Sequence, residues 1–207
     1  MGNFNKSIAY FIYAFEQMGK IGIGRKINGQ RGQFILEHVK SNGKTIYSST
    51  DNQISINDRF SNLDVNVVPM PQSKDSCLKL TLETPLRLKY TNRLQAELPF
   101  HLLTRAMLRR ISSLMNTYDN GEPSLDYPGL VKKAYNIKTV DNQLSWYDWQ
   151  RYSFRQDQKM LMGGITGSVT YKGELAEYIP LAEFCEQVHL GKQTTFGLGK
   201  IKAQVIL

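Results

Sequence analysis

An α+β fold is predicted by three observations. Apolar and polar residues alternate through Leu78, Leu80 and Leu82. A long amphipathic helix is written into 98–118, with Leu103, Met107, Ile111 and Leu114 on one face. The segments of residues 76–207 then succeed one another as strand, helix, strand, strand, helix, strand. That βαββαβ order is the order of a ferredoxin-like domain.

In "YFIYAFEQMGKIGIGRKINGQRGQFILEHV", Tyr10 to Val39, residues Phe11, Ala14, Phe15 and Met18 fall at helical spacing, and glycines then stop the helix. A strand is predicted at Phe34-Ile35-Leu36, with His38 at its end. A similar sequence, "YIPLAEFCEQVHLGKQTTFGLGKIKAQVIL", closes the chain from Tyr178 to Leu207. It has Ile179, Ala182, Cys185 and Val188 in helical rhythm and a terminal strand Val205-Ile206-Leu207. Two copies of a helix–loop–strand unit are the simplest account, and a chance likeness is the other. Residues 40–75, with strand-like Thr45–Ser49 and a turn-rich run through Asn52 and Asp58, join the halves.

In the second half, 77–90 reads as the first strand. A polar insert, 119–142, carries a short helix near Gly129–Tyr135, and 145–173 reads as a hairpin rich in aromatic and β-branched residues. The expected division is a partial ferredoxin-like domain and linker over 1–75, cut short at its N-terminus, and a complete ferredoxin-like domain with a C-terminal glycine-rich loop over 76–207.

Composition narrows the function. Hydrophobic residues make up 41% of the chain, which specifies a folded core, and the formal charge of +8 favours a polyanionic partner. No apolar run approaches the ~20 residues that cross a bilayer, and Met1–Lys6 opens no secretory signal, so a cytoplasmic protein without membrane association is expected. Cys77 and Cys185 form neither a disulfide framework nor a metal pair, and are expected as reduced core thiols.

The loop "HLGKQTTFGLGK", His189–Lys200, sets glycines beside two lysines. Backbone amides of Gly191, Thr194, Thr195, Gly197 and Gly199 can form an anion-binding concavity flanked by Lys192 and Lys200; alternatively, the glycines only permit tight turns. The loop follows a helix and lacks Gly-x4-Gly-Lys-Ser/Thr, so it is no nucleotide P-loop. Alternate residues Tyr147, Trp149, Arg151, Ser153 and Arg155 mix stacking surfaces with cations, as single-stranded RNA sites do, or else divide into core aromatics and solvated arginines. No RNP1 run is present. On the long helix, His101, Arg105 and Arg109 form a basic ridge at i, i+4 and i+8.

Three histidines, with no His-x-His, no His-Glu-x-x-His and no clustered carboxylates, predict no metal and no cofactor. RNA can be cut without one, by deprotonating the 2′-hydroxyl, protonating the leaving oxygen and stabilising the phosphorane with a cation. His189 or His101, with Lys192, are the candidates. In a βαββαβ domain the last strand begins beside the end of the first, so the loop and His101 are expected at one end of the sheet.

Together, "HLGKQTTFGLG", "SWYDWQRYSFRQ", "LMGGITGSVTYKGEL" and "FIYAFEQMGKIGIGR" resemble the CRISPR-associated endoribonuclease of the RAMP superfamily, which cuts precursor CRISPR RNA within its repeats. His189 stands where the pattern has its first glycine. Members usually carry further residues upstream, where their catalytic histidines often lie. The resemblance implies CRISPR repeat RNA as substrate, and as partners other CRISPR-associated proteins or a separate N-terminal half. It leaves a second possibility, a non-cleaving RNA-binding or assembly subunit of a CRISPR ribonucleoprotein.

Overall fold

The computed structural model describes residues 7–41, 43–55, 76–91, 93–94, 97–119, 121–153 and 156–206. The chain divides into two units, Met1–Leu63 and Asp64–Leu207.

In the first unit, helix α1 (Ile8–Ile21) is followed by the antiparallel pair β1 (Ile23–Ile27) and β2 (Gln30–Gly32), then by a three-stranded sheet of β3 (His38–Ser41), β4 (Lys44–Ser48) and β5 (Gln53–Ile54). The helix and β4 are where periodicity put them. The strand expected at Phe34-Ile35-Leu36 is irregular chain instead, because the Phe34 amide is drawn to the Gly19 carbonyl of α1 at 3.3 Å rather than to a neighbouring strand. His38 therefore begins a strand where it was expected to end one. The glycine-rich stretch after α1 forms a β-hairpin, so the two internal copies differ at their loops. The expected turn at Asp58 lies outside the described residues. Ile12, Ile46 and Tyr47 are buried, and the Tyr47 hydroxyl donates to Glu16.

In the second unit, β6 (Cys77–Leu86) leads through the short pair β7 (Lys89–Tyr90) and β8 (Arg93–Leu94) into helix α2 (Phe100–Tyr118) and the short helix α3 (Tyr127–Ala134). Asp126 caps α3, accepting from the Gly129 amide at 2.9 Å. Strands β9 (Lys138–Tyr147) and β12 (Gly164–Lys172) pair with one another, and between them β10 (Gln150–Ser153) and β11 (Gln158–Leu161) form a separate hairpin. Helix α4 (Ile179–Val188) and β13 (Ile201–Ile206) complete the unit. The sheet order is β13-β6-β12-β9, every neighbour antiparallel. With β6 as the first strand this is the 4-1-3-2 order of a ferredoxin-like sheet. β9 starts seven residues earlier than the expected hairpin and absorbs the end of the polar insert.

Alternation puts Leu78, Leu80, Leu82 and Leu86 of β6 under the helices, where they meet Ile165, Val169 and Tyr171 of β12 and the apolar faces of α2 and α4. Phe100 packs edge-on against Tyr171 and Tyr178, with ring centroids 4.8 and 4.9 Å away. Both buried hydroxyls find backbone acceptors, Tyr171 at Leu98 (2.6 Å) and Tyr178 at Leu130 (2.7 Å).

The contact of Phe100 with Tyr171 fixes the direction of α2. Tyr171 pairs with Leu78, near the start of β6. Residues 87–99 therefore carry the chain back along the sheet, and α2 begins at the β6 start and advances towards the β6 end. There Arg110 donates to the Val188 carbonyl at 2.6 Å and the His189 carbonyl at 3.1 Å, tying α2 to the C-terminus of α4.

Candidate nucleic-acid interface

The loop that leaves α4 closes over the end of β6. His189 takes φ 57°, a left-handed conformation that favours glycine. This accounts for the glycine that the family pattern has at this position. Its ring Nδ1 lies 3.1 Å from the Leu198 carbonyl, and since a carbonyl only accepts, Nδ1 carries the proton. In the neutral ring that leaves Nε2 as the acceptor.

The amides of the loop are largely spent on the loop itself and on the chain at the end of β6. Leu190 donates to Gly199, Lys192 to Arg87 at 2.9 Å, Phe196 to Gln193, Gly197 to Thr194, and Gly199 to Pro85 at 3.1 Å. Lys200 donates to the Thr84 hydroxyl, which in turn donates to Gly197. The expected amide concavity is thus corrected at Gly197 and Gly199, whose donors are taken by the Thr194 and Pro85 carbonyls. Gly199 is buried, at φ 74°, where a methyl group would overlap the Leu190 carbonyl; it shapes the loop and offers no surface. Thr194 and Thr195 sit in a single 3₁₀ turn ending at Phe196, half-buried and exposed respectively.

Of the two loop lysines, Lys200 is committed. Its ammonium lies 2.8 Å from the Glu83 carboxylate, an interaction that holds Glu83 below and Lys200 above their usual ranges. Lys192 makes no ion pair among the described residues. With Gly191 it lines one end of a groove of about 250 Å³ between residues 87–90 and the face of α2 from Leu102 to Ser113. Among the described residues six cations line that groove, Arg87, Lys89, Arg105, Arg109, Arg110 and Lys192, and no carboxylate does. Arg87 is pinned by donation to the Gly163 carbonyl at 2.8 Å, and Arg110 by α4. The Arg105 guanidinium stands 5.8 Å from the centre of the Tyr90 ring, and its Nε is buried without a partner among the described residues.

The expected ridge of Arg105 and Arg109 is therefore one wall of a site. The opposite wall was missed, although its signal is in the alternation: Leu86 and Leu88 point inward, which turns Arg87 and Lys89 the other way. Arg110 was missed because it lies beside Arg109 in sequence but about 100° round the helix.

His101 is not at this end of the sheet. Its ring stacks on Tyr135, centroids 4.1 Å apart at 12°, and along α2 it lies ~12 Å before Arg109. The expectation that it joins the glycine loop fails because residues 87–99 reverse the chain before the helix begins. Burial first, and the Arg105 charge second, hold its imidazole below the usual range.

The expected face from Tyr147 to Arg155 is broken at Asp148–Trp149, where β9 ends and β10 begins. Arg151 nevertheless reaches the loop, its guanidinium 4.5 Å from the centre of the exposed Phe196 ring. Arg155 lies outside the described residues.

The family model described as CRISPR-associated endoribonuclease Cas6 matches residues 80–201, more than half of the sequence. The chain belongs to this family. A second model, described as an N-terminal domain, matches residues 1–59. No curated protein sequence matches. Among solved structures, Cas6 from Thermus thermophilus is similar at a TM-score of 0.50 and 13% identity, over 65% of this chain and 55% of that one. A Cas6 product complex is similar at 0.51 and 12%, over 70% and 56%. These identities establish likeness of fold. The chain spans about half the length of the Cas6 structures it matches. No helix among the described residues is long and apolar enough to cross a membrane.

Proposed function

We propose that this Cas6 chain binds CRISPR repeat RNA and takes part in cutting it to guide RNAs. The observation that carries the reading is the groove itself, six cations and no carboxylate among the described residues, continuous with the glycine loop at Gly191 and Lys192. Such a surface attracts a polyphosphate backbone by releasing its counterions.

For the chemistry we assign the 2′-hydroxyl route, which gives a 2′,3′-cyclic phosphate and a 5′-hydroxyl. His189 is the side chain placed to accept or return a proton, through Nε2, and Lys192 stabilises the developing phosphorane charge. His101, stacked on Tyr135 away from the loop, stands outside this centre. A second reading, a non-cleaving RNA-binding subunit, is favoured by the same geometry: His189 is tied to Leu198, and His101, the other histidine of its unit, does not join it.

Labelled repeat RNA incubated with the full chain, with and without EDTA, tests both. Binding with cleavage that survives EDTA and falls by ~10²- to 10⁴-fold in His189→Ala supports the assignment. Cleavage abolished by EDTA refutes the metal-free route, and binding without cleavage supports the second reading. Each lost single-strand phosphate contact should lower the slope of log affinity against log salt by about 0.7, so Lys192→Ala should lower it and Lys200→Ala, already ion-paired, should leave it nearly unchanged.

A further inference from the structure

Cations alone would suit any polyanion, but this groove is not lined by cations alone. Its floor is apolar, with Leu88, Leu102 and Ala106 facing the cavity, and the Tyr90 ring stands at one end. At about 250 Å³ it is smaller than the ~300–1,000 Å³ of pockets that take drug-sized ligands. A duplex cannot enter it. Something with an apolar or aromatic body and a negative group can.

Two details say where the negative group goes. Arg87 and Arg110 spend donors on backbone carbonyls, which holds them as fixed walls. Arg105 has a buried Nε with no acceptor among the described residues, a desolvated donor that is unfavourable unless something fills it. Like charges confined in so small a space also repel one another. An anion that accepts from Arg105 would relieve both.

The geometry points to a seat for one unstacked nucleotide of the bound RNA strand, its phosphate held by Arg105, Arg109 and Lys192 and its base or sugar laid on Leu88, Leu102 and Ala106 beside Tyr90. Bases splayed out of a single strand are commonly taken up on aromatic rings and guanidinium planes, and this pocket supplies both. The assignment rests on the RNA-binding reading and adds to it a strand position. One nucleotide is drawn out of the stack some distance from His189, which anchors the register of the rest. A free nucleotide carries the same chemistry, so the test separates the two sources.

The full chain is irradiated with labelled single-stranded RNA of random sequence containing 4-thiouridine, and crosslinked peptides are identified by mass spectrometry. Affinities for the same RNA, for UMP and for inorganic phosphate are measured on the wild type and on Tyr90→Ala, Arg109→Ala and Arg105→Lys, with thermal melting as a check on folding. The expected result is a crosslink within residues 87–113 and a loss of RNA affinity of about 5-fold or more in Tyr90→Ala, the scale of one base–aromatic contact. Arg109→Ala, an exposed position, should lose affinity with no change in melting. UMP should compete weakly with RNA for the wild type and fail to compete in the variants.

RNA binding with crosslinks only outside 87–113, or with affinity unchanged in Tyr90→Ala and Arg109→Ala, overturns the groove while leaving the RNA reading intact. UMP bound here without displacing RNA makes it a free-nucleotide site and overturns the strand assignment. No RNA binding at low salt sinks both readings together.

Discussion

Gly199→Ala isolates what the glycine loop contributes. Two backbone bonds converge on this residue: its amide donates to Pro85 at 3.1 Å and its carbonyl accepts from Leu190 at 2.8 Å, which joins both ends of the loop to the end of β6. Alanine at φ 74° costs ~1–2 kcal/mol in left-handed strain. The overlap of its methyl with the Leu190 carbonyl forces the two hydrogen bonds to break or stretch, at ~0.5–1.5 kcal/mol each. The total is about 2–5 kcal/mol. Gly197 is the control. Its φ of 80° imposes the same strain, but a methyl there meets open space, so Gly197→Ala should cost only ~1–2 kcal/mol. Urea unfolding followed by tryptophan fluorescence measures the difference cleanly, because both tryptophans, Trp146 and Trp149, lie in the second unit. RNA affinity should fall with Gly199→Ala, since Lys192 is positioned by the same loop. Equal losses for the two variants, or a loss below ~1 kcal/mol for Gly199→Ala, would refute the argument that this glycine is required by close approach.

Two further outcomes follow from buried or crowded groups. Burial pushes the Cys185 thiol up to about 12, so roughly one molecule in ten thousand carries the thiolate at pH 8; in a Cys77→Ser background, Ellman's reagent should label Cys185 only as fast as the fold opens, and immediate labelling contradicts the packing described. His101 binds protons less readily folded than unfolded, so its contribution to stability is present above the unfolded value near 6.5 and is lost as the pH falls from there through the lowered folded value. His101→Gln should flatten the acid side of the stability profile, and a ring titration by NMR at or above 6.5 in the free chain would contradict the lowered value. Because Arg105 is part of the cause, phosphate bound at Arg105 should raise the His101 titration.

The second unit was legible because its signals are local and agree with one another. Alternation over Leu78–Leu82 fixes which face of β6 is buried, the 3.6 period over Leu103–Leu114 fixes the face of α2, and the antiparallel pairing of Ile201–Ile206 with Leu82–Cys77 follows from the order of elements. What stayed hidden is non-local. At Phe34–Leu36 an apolar run with strand character is irregular because its amide bonds to α1, a partner no pattern within three residues can announce. At Tyr147–Arg155 the alternation runs unbroken through a point where the chain leaves one sheet for a separate hairpin, since side-chain period carries no record of which strand is paired.

The most consequential hidden feature is the return of residues 87–99. A helix entered directly from β6 would begin at the β6 end, bringing His101 to the glycine loop and sending Arg109 and Arg110 away from it. The thirteen residues of the return invert this. They carry Phe100 to Tyr171 at the β6 start, so that α2 advances towards the loop and delivers Arg105, Arg109 and Arg110 where a histidine was expected. The same segment, folded back along α2, supplies Arg87, Lys89 and Tyr90 as the facing wall. One reversal of direction thus removes a candidate acid–base residue from the loop and builds a cationic groove in its place. This is why the geometry speaks more directly for binding a strand than for cutting it, and why His189, the histidine of this unit that lies at that end of the sheet, carries the weight of the chemical test.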